Sequence, residues 1–181
     1  PVAQLTEREV EVLRLIAKGY KSGEVAQLLA LSSHTVTGYV RDIYRKFGKA
    51  RVLAAIEDFF AHSEEKALEA LARLPKGSWS AVEWLDDDGV TDDKIKMQVN
   101  VTIEEGRFIV DYNGSDPMVK GPVNVPYGAT VSMAKTYFKF LTSSDTPSNH
   151  GNYMPLEVRA DPGNLFHAVY PAATYMPWTH M

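Results

Sequence analysis

The sequence predicts an α+β chain, all-α in its N-terminal part and β-rich with helices thereafter. Three observations carry that expectation. Apolar residues recur every three or four positions through most of the first 74 residues, as helices with one buried face require. Residues 94 to 103 instead alternate polar with apolar side chains, the period of a half-buried strand. The charge is also divided: residues 1–51 hold nine Lys and Arg against five Asp and Glu, a net +4, whereas the remainder carries −8. A polyanion is therefore drawn to the first part and repelled by the second, because neutralisation of phosphates by Lys and Arg dominates nonspecific affinity.

Composition bounds the rest. With 181 residues, 45% apolar and 23% charged, the chain has the content of a folded protein. It holds no cysteine, which excludes disulfides, thiolate metal sites and a cysteine nucleophile. No apolar run approaches the roughly 20 residues of a membrane helix. Pro1-Val2-Ala3-Gln4 lacks the charged start and apolar centre of a signal peptide, so a cytoplasmic protein is expected. The absence of an initiator methionine suggests a start inside a longer polypeptide.

Leu5-Thr6-Glu7-Arg8-Glu9 opens the first helix as a capping box, with Thr6 and Glu9 satisfying each other's backbone N–H groups. Val10, Leu13, Ile16 and Ala17 make its apolar face, and Lys18-Gly19 ends it. Ser22 is a candidate cap for a second helix with Val25, Ala26, Leu28 and Leu29 inward and a stop at Leu31-Ser32. Ser32 or Ser33 caps a third, in which Val36, Val40, Ile43, Tyr44 and Phe47 face inward and Gly48 closes the helix.

Two short helices joined by a tight turn, the second displaying polar and basic residues, match what the DNA major groove admits. Leu5-Thr6-x-Arg8-Glu9-x-Glu11-Val12-Leu13, Ala17-Lys18-Gly19, Glu24-Val25-Ala26, Ser33-x-Thr35-Val36 and Ile43-Tyr44-Arg45-Lys46-Phe47-Gly48 resemble the LuxR/NarL/FixJ-type helix-turn-helix. The resemblance implies sequence-specific binding of duplex DNA, usually as a homodimer and without a cofactor, by residues 1–56. By position it places Ser33, His34, Thr35, Thr37, Gly38 and Arg41 near bases and phosphates, and Lys21, Arg45, Lys46 and Lys49 mainly at phosphates. Glycine inside a helix costs about 1 kcal/mol relative to alanine, so Gly38 either lets the backbone approach DNA or is simply tolerated. Arg41 and Arg45, four apart, also fit an ordinary solvated face.

From residue 57 to 181 the organisation changes. A long helix continues through Phe59, Phe60, Leu68, Leu71 and Leu74 until Pro75-Lys76-Gly77 breaks it. Residues 79–85 and 95–112 read as strands, the latter a hairpin turning at Glu104-Glu105-Gly106-Arg107. A helix from about Thr130 to Leu141 and a strand near Leu156-Glu157-Val158 follow. The loops between carry Leu74-Pro75-x-Gly77-Ser78-Trp79, Asp86-Asp87-Asp88-Gly89, Asp111-Tyr112-Asn113-Gly114-Ser115, Gly121-Pro122-Val123-Asn124, Pro147-x-Asn149-x-Gly151, Pro162-Gly163 and Tyr170-Pro171-Ala172-Ala173. In order and spacing these blocks resemble the hydantoinase B family, which includes 5-oxoprolinase and ketone carboxylase large subunits. That resemblance implies ATP-dependent opening of hydantoin-like or lactam rings, or carboxylation of ketones, beside a hydantoinase A-like partner. ATP and a divalent metal would come from that partner or from family parts outside this stretch.

Few residues here could act alone. Asp86-Asp87-Asp88 with Asp92-Asp93 could attract a hard cation but lacks the spacing of a calcium loop, and a capped, solvated turn is the simpler expectation. Asn124 and Asn149, in Gly/Pro loops, could hold a substrate carbonyl or make local backbone bonds. His150, His167 and His180 have no metal-ligand spacing, and no Ser/His/Asp set or phosphate-binding glycine loop is present, so no catalytic residue is assigned. The sequence thus presents two functions, DNA binding through the third helix and, alternatively, membership of a hydantoinase B-like subunit.

Overall fold

The computed structural model describes residues 5–143 and 148–174, and Pro1–Gln4, Pro147 and His180, singled out above, lie outside that set. Among the described residues, compact packing groups 5–66 with 148–152, and 67–143 with 153–174. The class is α+β, and among the described residues no helix is long and apolar enough to cross a membrane.

In the first group, α1 (Glu7–Ala17) starts on the expected capping box: Glu9 donates its N–H to the Thr6 hydroxyl, and the Glu9 carboxylate accepts the Thr6 N–H at 2.7 Å. Its buried side is rotated from the expected stripe. Val12 is fully buried, and with Val25, Ala26 and Val36 it forms the core of the three helices, while Val10, Leu13, Ile16 and Ala17 are only half-buried. α2 (Ser22–Leu28) is capped at Lys21 instead of Ser22, because the Glu24 carboxylate accepts the Lys21 N–H at 2.7 Å. It also stops early. Ala30 adopts φ +53 and turns the chain, which leaves Leu28, expected inside, 58% exposed. α3 (Ser33–Phe47) takes Ser32 as its cap, whose hydroxyl accepts the Thr35 N–H at 3.0 Å, and Gly48 ends it at φ +78. α4 (Lys49–Ala72) supplies residues to both groups.

The second group is built on a sheet of order β1 (Gly77–Leu85), β2 (Ile95–Glu104), β3 (Arg107–Asp111), β4 (Leu156–Arg159). The first two pairings are antiparallel, and the β2–β3 hairpin turns through Glu105-Gly106, with Gly106 at φ +73. β3 and β4 are parallel, so the chain must cross over between them, and α5 (Tyr127–Ser143) lies in that crossover. Ile103, Phe108 and Val110 on one sheet face meet Ala67, Leu71, Ala134 and Phe138. Strict alternation in β2 implies one wet face, yet only its ends, Ile95 and Ile103, are buried and everything between is half-buried. Beyond the reach of β3, which pairs with β2 only from Asn100 onward, a loop serves the open edge of β2: Ser115 Oγ accepts the Gln98 N–H and donates to the Gln98 carbonyl, both at 2.9 Å.

Candidate functional site

Two sets of polar residues were singled out by sequence, and the structure treats them differently. On α3, Ser33, His34, Thr35, Thr37, Arg41 and Arg45 are exposed and Gly38 is half-buried, while Lys21 and Lys49 are exposed nearby. Part of this surface is occupied with its own helix. Thr37 donates to the Ser33 carbonyl at 2.9 Å, Thr35 and Ser32 share a hydroxyl bond of 2.8 Å, and Arg45 pairs with Asp42 at 3.1 Å. A Cβ added at Gly38 would meet no atom within 4 Å, so packing does not require glycine there.

Lys46 departs most from the expected surface. Its ammonium lies 2.8 Å from both carboxylate oxygens of Glu9, a residue only 3% exposed. Lys46 first, and the Thr6 N–H next, hold the Glu9 carboxyl at about 2, below its ordinary 4.5. Lys46, itself exposed, therefore serves a buried carboxylate, and its removal would leave the Glu9 charge without its cation. Nothing local in the sequence announces a contact across 37 positions.

The loop residues of the second group are turned inward and bonded to one another. Asp88, 2% exposed, accepts N–H groups from Val90 (2.8 Å), Thr91 (2.6 Å) and Gly121 (2.8 Å), with the Thr91 hydroxyl at 3.2 Å. These donors, Thr91 first, depress its carboxyl to about 2. A Cβ on Gly121 would sit 1.7 Å from the Asp88 carbonyl oxygen, so no other residue fits. Asn124 is wholly buried; its amide donates to the carbonyls of Val119 (2.9 Å), Gly121 (2.9 Å) and Ala173 (2.8 Å), and its oxygen accepts the Val119 N–H at 2.7 Å. Asn164, missed by sequence reading, accepts the Phe166 N–H at 2.9 Å and donates to Tyr112 and Ser115.

Asn149 is likewise engaged at both ends of its amide, accepting the Gly151 N–H at 2.9 Å and donating to Ser63 Oγ at 2.8 Å. Both amides thus join near neighbours to distant parts of the chain, Asn124 to Ala173 across 49 positions and Asn149 to Ser63 across 86. Among the described residues no three His, Cys, Asp or Glu side chains gather as a metal site. Both Asp88 oxygens are already spent on donors, and Asp87 accepts the Gly89 N–H at 2.8 Å.

The pieces joined in this way are the loop blocks singled out by sequence: Asp88 to Gly121, and Asn124 to Ala173. A family profile described as Hydantoinase B/oxoprolinase matches residues 25–181. The chain belongs to the hydantoinase B/oxoprolinase family. Its similarity to the B-type component of a putative D-/L-hydantoinase from Pseudomonas sp. (strain NS671) is 32% identity over 144 residues, covering 74% of this chain and 24% of that one. The hydantoinase B-like fold is shared with the ATP-dependent caprolactamase of Pseudomonas jessenii at TM-score 0.68 and 21% identity, over 78% of this chain and 24% of that one. The chain thus spans about a quarter of the length of either relative. A stretch of 57 residues is also 39% identical to the nitrate/nitrite response regulator NarP of Escherichia coli K12, covering 31% of this chain and 26% of the regulator.

Proposed function

We propose that this chain forms a scaffold segment of a hydantoinase B-like subunit in an ATP-dependent enzyme that opens cyclic amides such as hydantoins or lactams. The family match over residues 25–181 carries the reading. The inward-turned loops support the scaffold role, since Asp88, Asn124 and Asn164 hold the chain's own backbone and no three His, Asp or Glu gather as a metal cradle among the described residues. The reacting groups, ATP and any divalent metal then come from other parts of such a subunit or from a hydantoinase A-like partner, in a cytoplasmic setting. Coexpression with a hydantoinase A-like subunit tests it: copurification, and phosphate release from ATP that depends on added hydantoin, 5-oxoproline or caprolactam, is the expected outcome. A chain that neither copurifies nor supports turnover would overturn it.

A second reading rests on a separate observation, the 39% identity to NarP, together with the exposed Thr35, Thr37 and Arg41 on α3. Here residues 1–56 form a helix-turn-helix unit that docks α3 in the major groove of duplex DNA, as a homodimer, and residues 57–181 form the hydantoinase B-like part. Ser33, His34, Thr35, Thr37, Gly38 and Arg41 would meet bases and phosphates, with Lys21, Arg45 and Lys49 at phosphates. Selection from random duplexes followed by gel shift is the test. Enrichment of a motif, with binding that falls steeply in salt and is lost in Arg41→Ala, supports it; absence of any retained duplex removes it.

A further inference from the structure

We propose that the first compact group binds an amphipathic monocarboxylate in an apolar cavity walled by α1, α3 and α4. The cavity is partly open to solvent and has a volume of about 620 Å³, within the roughly 300–1,000 Å³ typical of small-molecule sites. Its walls include Leu13 and Ile16 from α1, Val40 and Phe47 from α3, and Ile56 and Phe59 from α4. All six are half-buried. The helical spacing that predicts a buried stripe on α1 is thus met in part by a space: Leu13 and Ala17 line the cavity, Ile16 lines it while also packing against the three-helix core, and Val12, one position round, lies within that core.

The few polar groups on the wall fix the class of ligand. Arg51 lines the cavity, and among the described residues its guanidinium makes no hydrogen bond or ion pair. A guanidinium presents the planar fork of donors that matches a carboxylate. Lys49, exposed just before it, adds to the positive field. Away from Arg51 along α4, His150 lies edge-on to Phe60, with ring centroids 5.7 Å apart. The rise from Arg51 to Phe60 is about 13 Å at roughly 1.5 Å per residue. An extended saturated chain, with bonds of about 1.5 Å, covers that span in roughly ten carbons. The site thus fits an anionic head at Arg51 and an alkyl tail along Ile56 and Phe59.

The test is isothermal titration of the full chain with decanoate and, separately, decan-1-ol. Decanoate is expected to bind one-to-one with Kd on the order of 10–100 µM, ordinary for a ligand of that size. The alcohol should bind about tenfold more weakly, and Arg51→Gln should weaken the acid by a similar factor. Ala55→Trp places an indole in the cavity and should abolish binding, with circular dichroism checking that the helices persist. Because Arg51 is exposed, its variant stays informative even if the tryptophan variant misfolds. No uptake of decanoate, equal affinity for acid and alcohol, uptake of several molecules per chain, or binding that survives Ala55→Trp in a folded protein would each overturn the proposal. So would a dimer by light scattering that takes up no decanoate, since a second copy would then cover these walls.

Discussion

Polar side chains on α3 and those in the loops of the second compact group look alike in sequence, yet they stand in opposite relations to the protein. Thr35, Thr37 and Arg41 are exposed and bond at most to their own helix. Asp88, Asn124 and Asn164 are buried and bond to distant backbone, so each holds one loop against another. A run of matched residues can therefore stand on an open surface in one place and in an internal framework in another. Removal should have opposite consequences: the framework residues cost stability, and the α3 residues leave it almost unchanged.

The largest break is expected at Gly121. An alanine Cβ 1.7 Å from the Asp88 carbonyl oxygen meets backbone, with no flexible side chain to give way. Gly121→Ala should destabilise the second group by about 3 kcal/mol or more, at the upper end of overpacking effects. Tryptophan fluorescence during urea unfolding checks this selectively, because all three tryptophans lie beyond residue 66. An unchanged midpoint would mean that the Asp88–Gly121 contact does not hold these loops.

Next comes Asn124→Ala. It would leave the Val119 N–H and the carbonyls of Val119, Gly121 and Ala173 without their amide partner in a closed site. A buried group left unsatisfied costs about 1–3 kcal/mol, and with several affected at once the upper part of that range is expected. Asn124→Asp is the sharper control: it keeps the accepting oxygen for Val119 but loses every donor, so it should also destabilise the chain. If Asn124 instead held a substrate, both variants would unfold like the parent and fail only in turnover.

Acid should loosen the two regions for different reasons. Glu9 and Asp88 are both held at about 2, below ordinary values of 4.5 and 3.8. A carboxylate depressed on folding stabilises the native state above its unfolded pKa, and that contribution is lost as pH falls from there through the folded pKa. Stability should thus decline from about pH 5 towards pH 2. In Lys46→Met the larger cause of the Glu9 shift is gone, so its part of the acid dependence should shrink. Asp88→Asn should flatten the tryptophan-reported part and leave the Glu9 part in place. Urea midpoints at several pH values, read by fluorescence and by helical circular dichroism, separate the two.

What the sequence made legible follows the range of the interaction. Caps at Thr6 and Ser32, the breaks at Gly19 and Gly48, and the hairpin turn at Glu105-Gly106 are decided within three or four residues, and each stands as expected. Which side of α1 is buried was not legible, because Val12 and Leu13 are equally apolar and only packing with Val25 and Val36 chooses between them. Nor were Glu9–Lys46 and Asp88–Gly121, whose partners lie 37 and 33 positions apart. The loop blocks signalled the family correctly without saying that their polar atoms point inward.

The smallest expected effect bears on α3 itself. Gly38 is half-buried, its added Cβ would meet nothing within 4 Å, and it occupies a helix interior where glycine carries its full backbone entropy cost. Gly38→Ala should therefore stabilise the first group by about 0.5–1 kcal/mol, a rise seen in the helical unfolding signal and absent from tryptophan fluorescence. If α3 docks on DNA through close backbone approach at this position, the same methyl would stand between helix and duplex, and affinity in the gel shift would drop while stability rose. A gain in stability with affinity untouched would leave Gly38 as a tolerated residue and shift the burden of recognition to Thr35, Thr37 and Arg41. Loss of stability would contradict the open space found beside it and, with that, the description of α3 as a free surface.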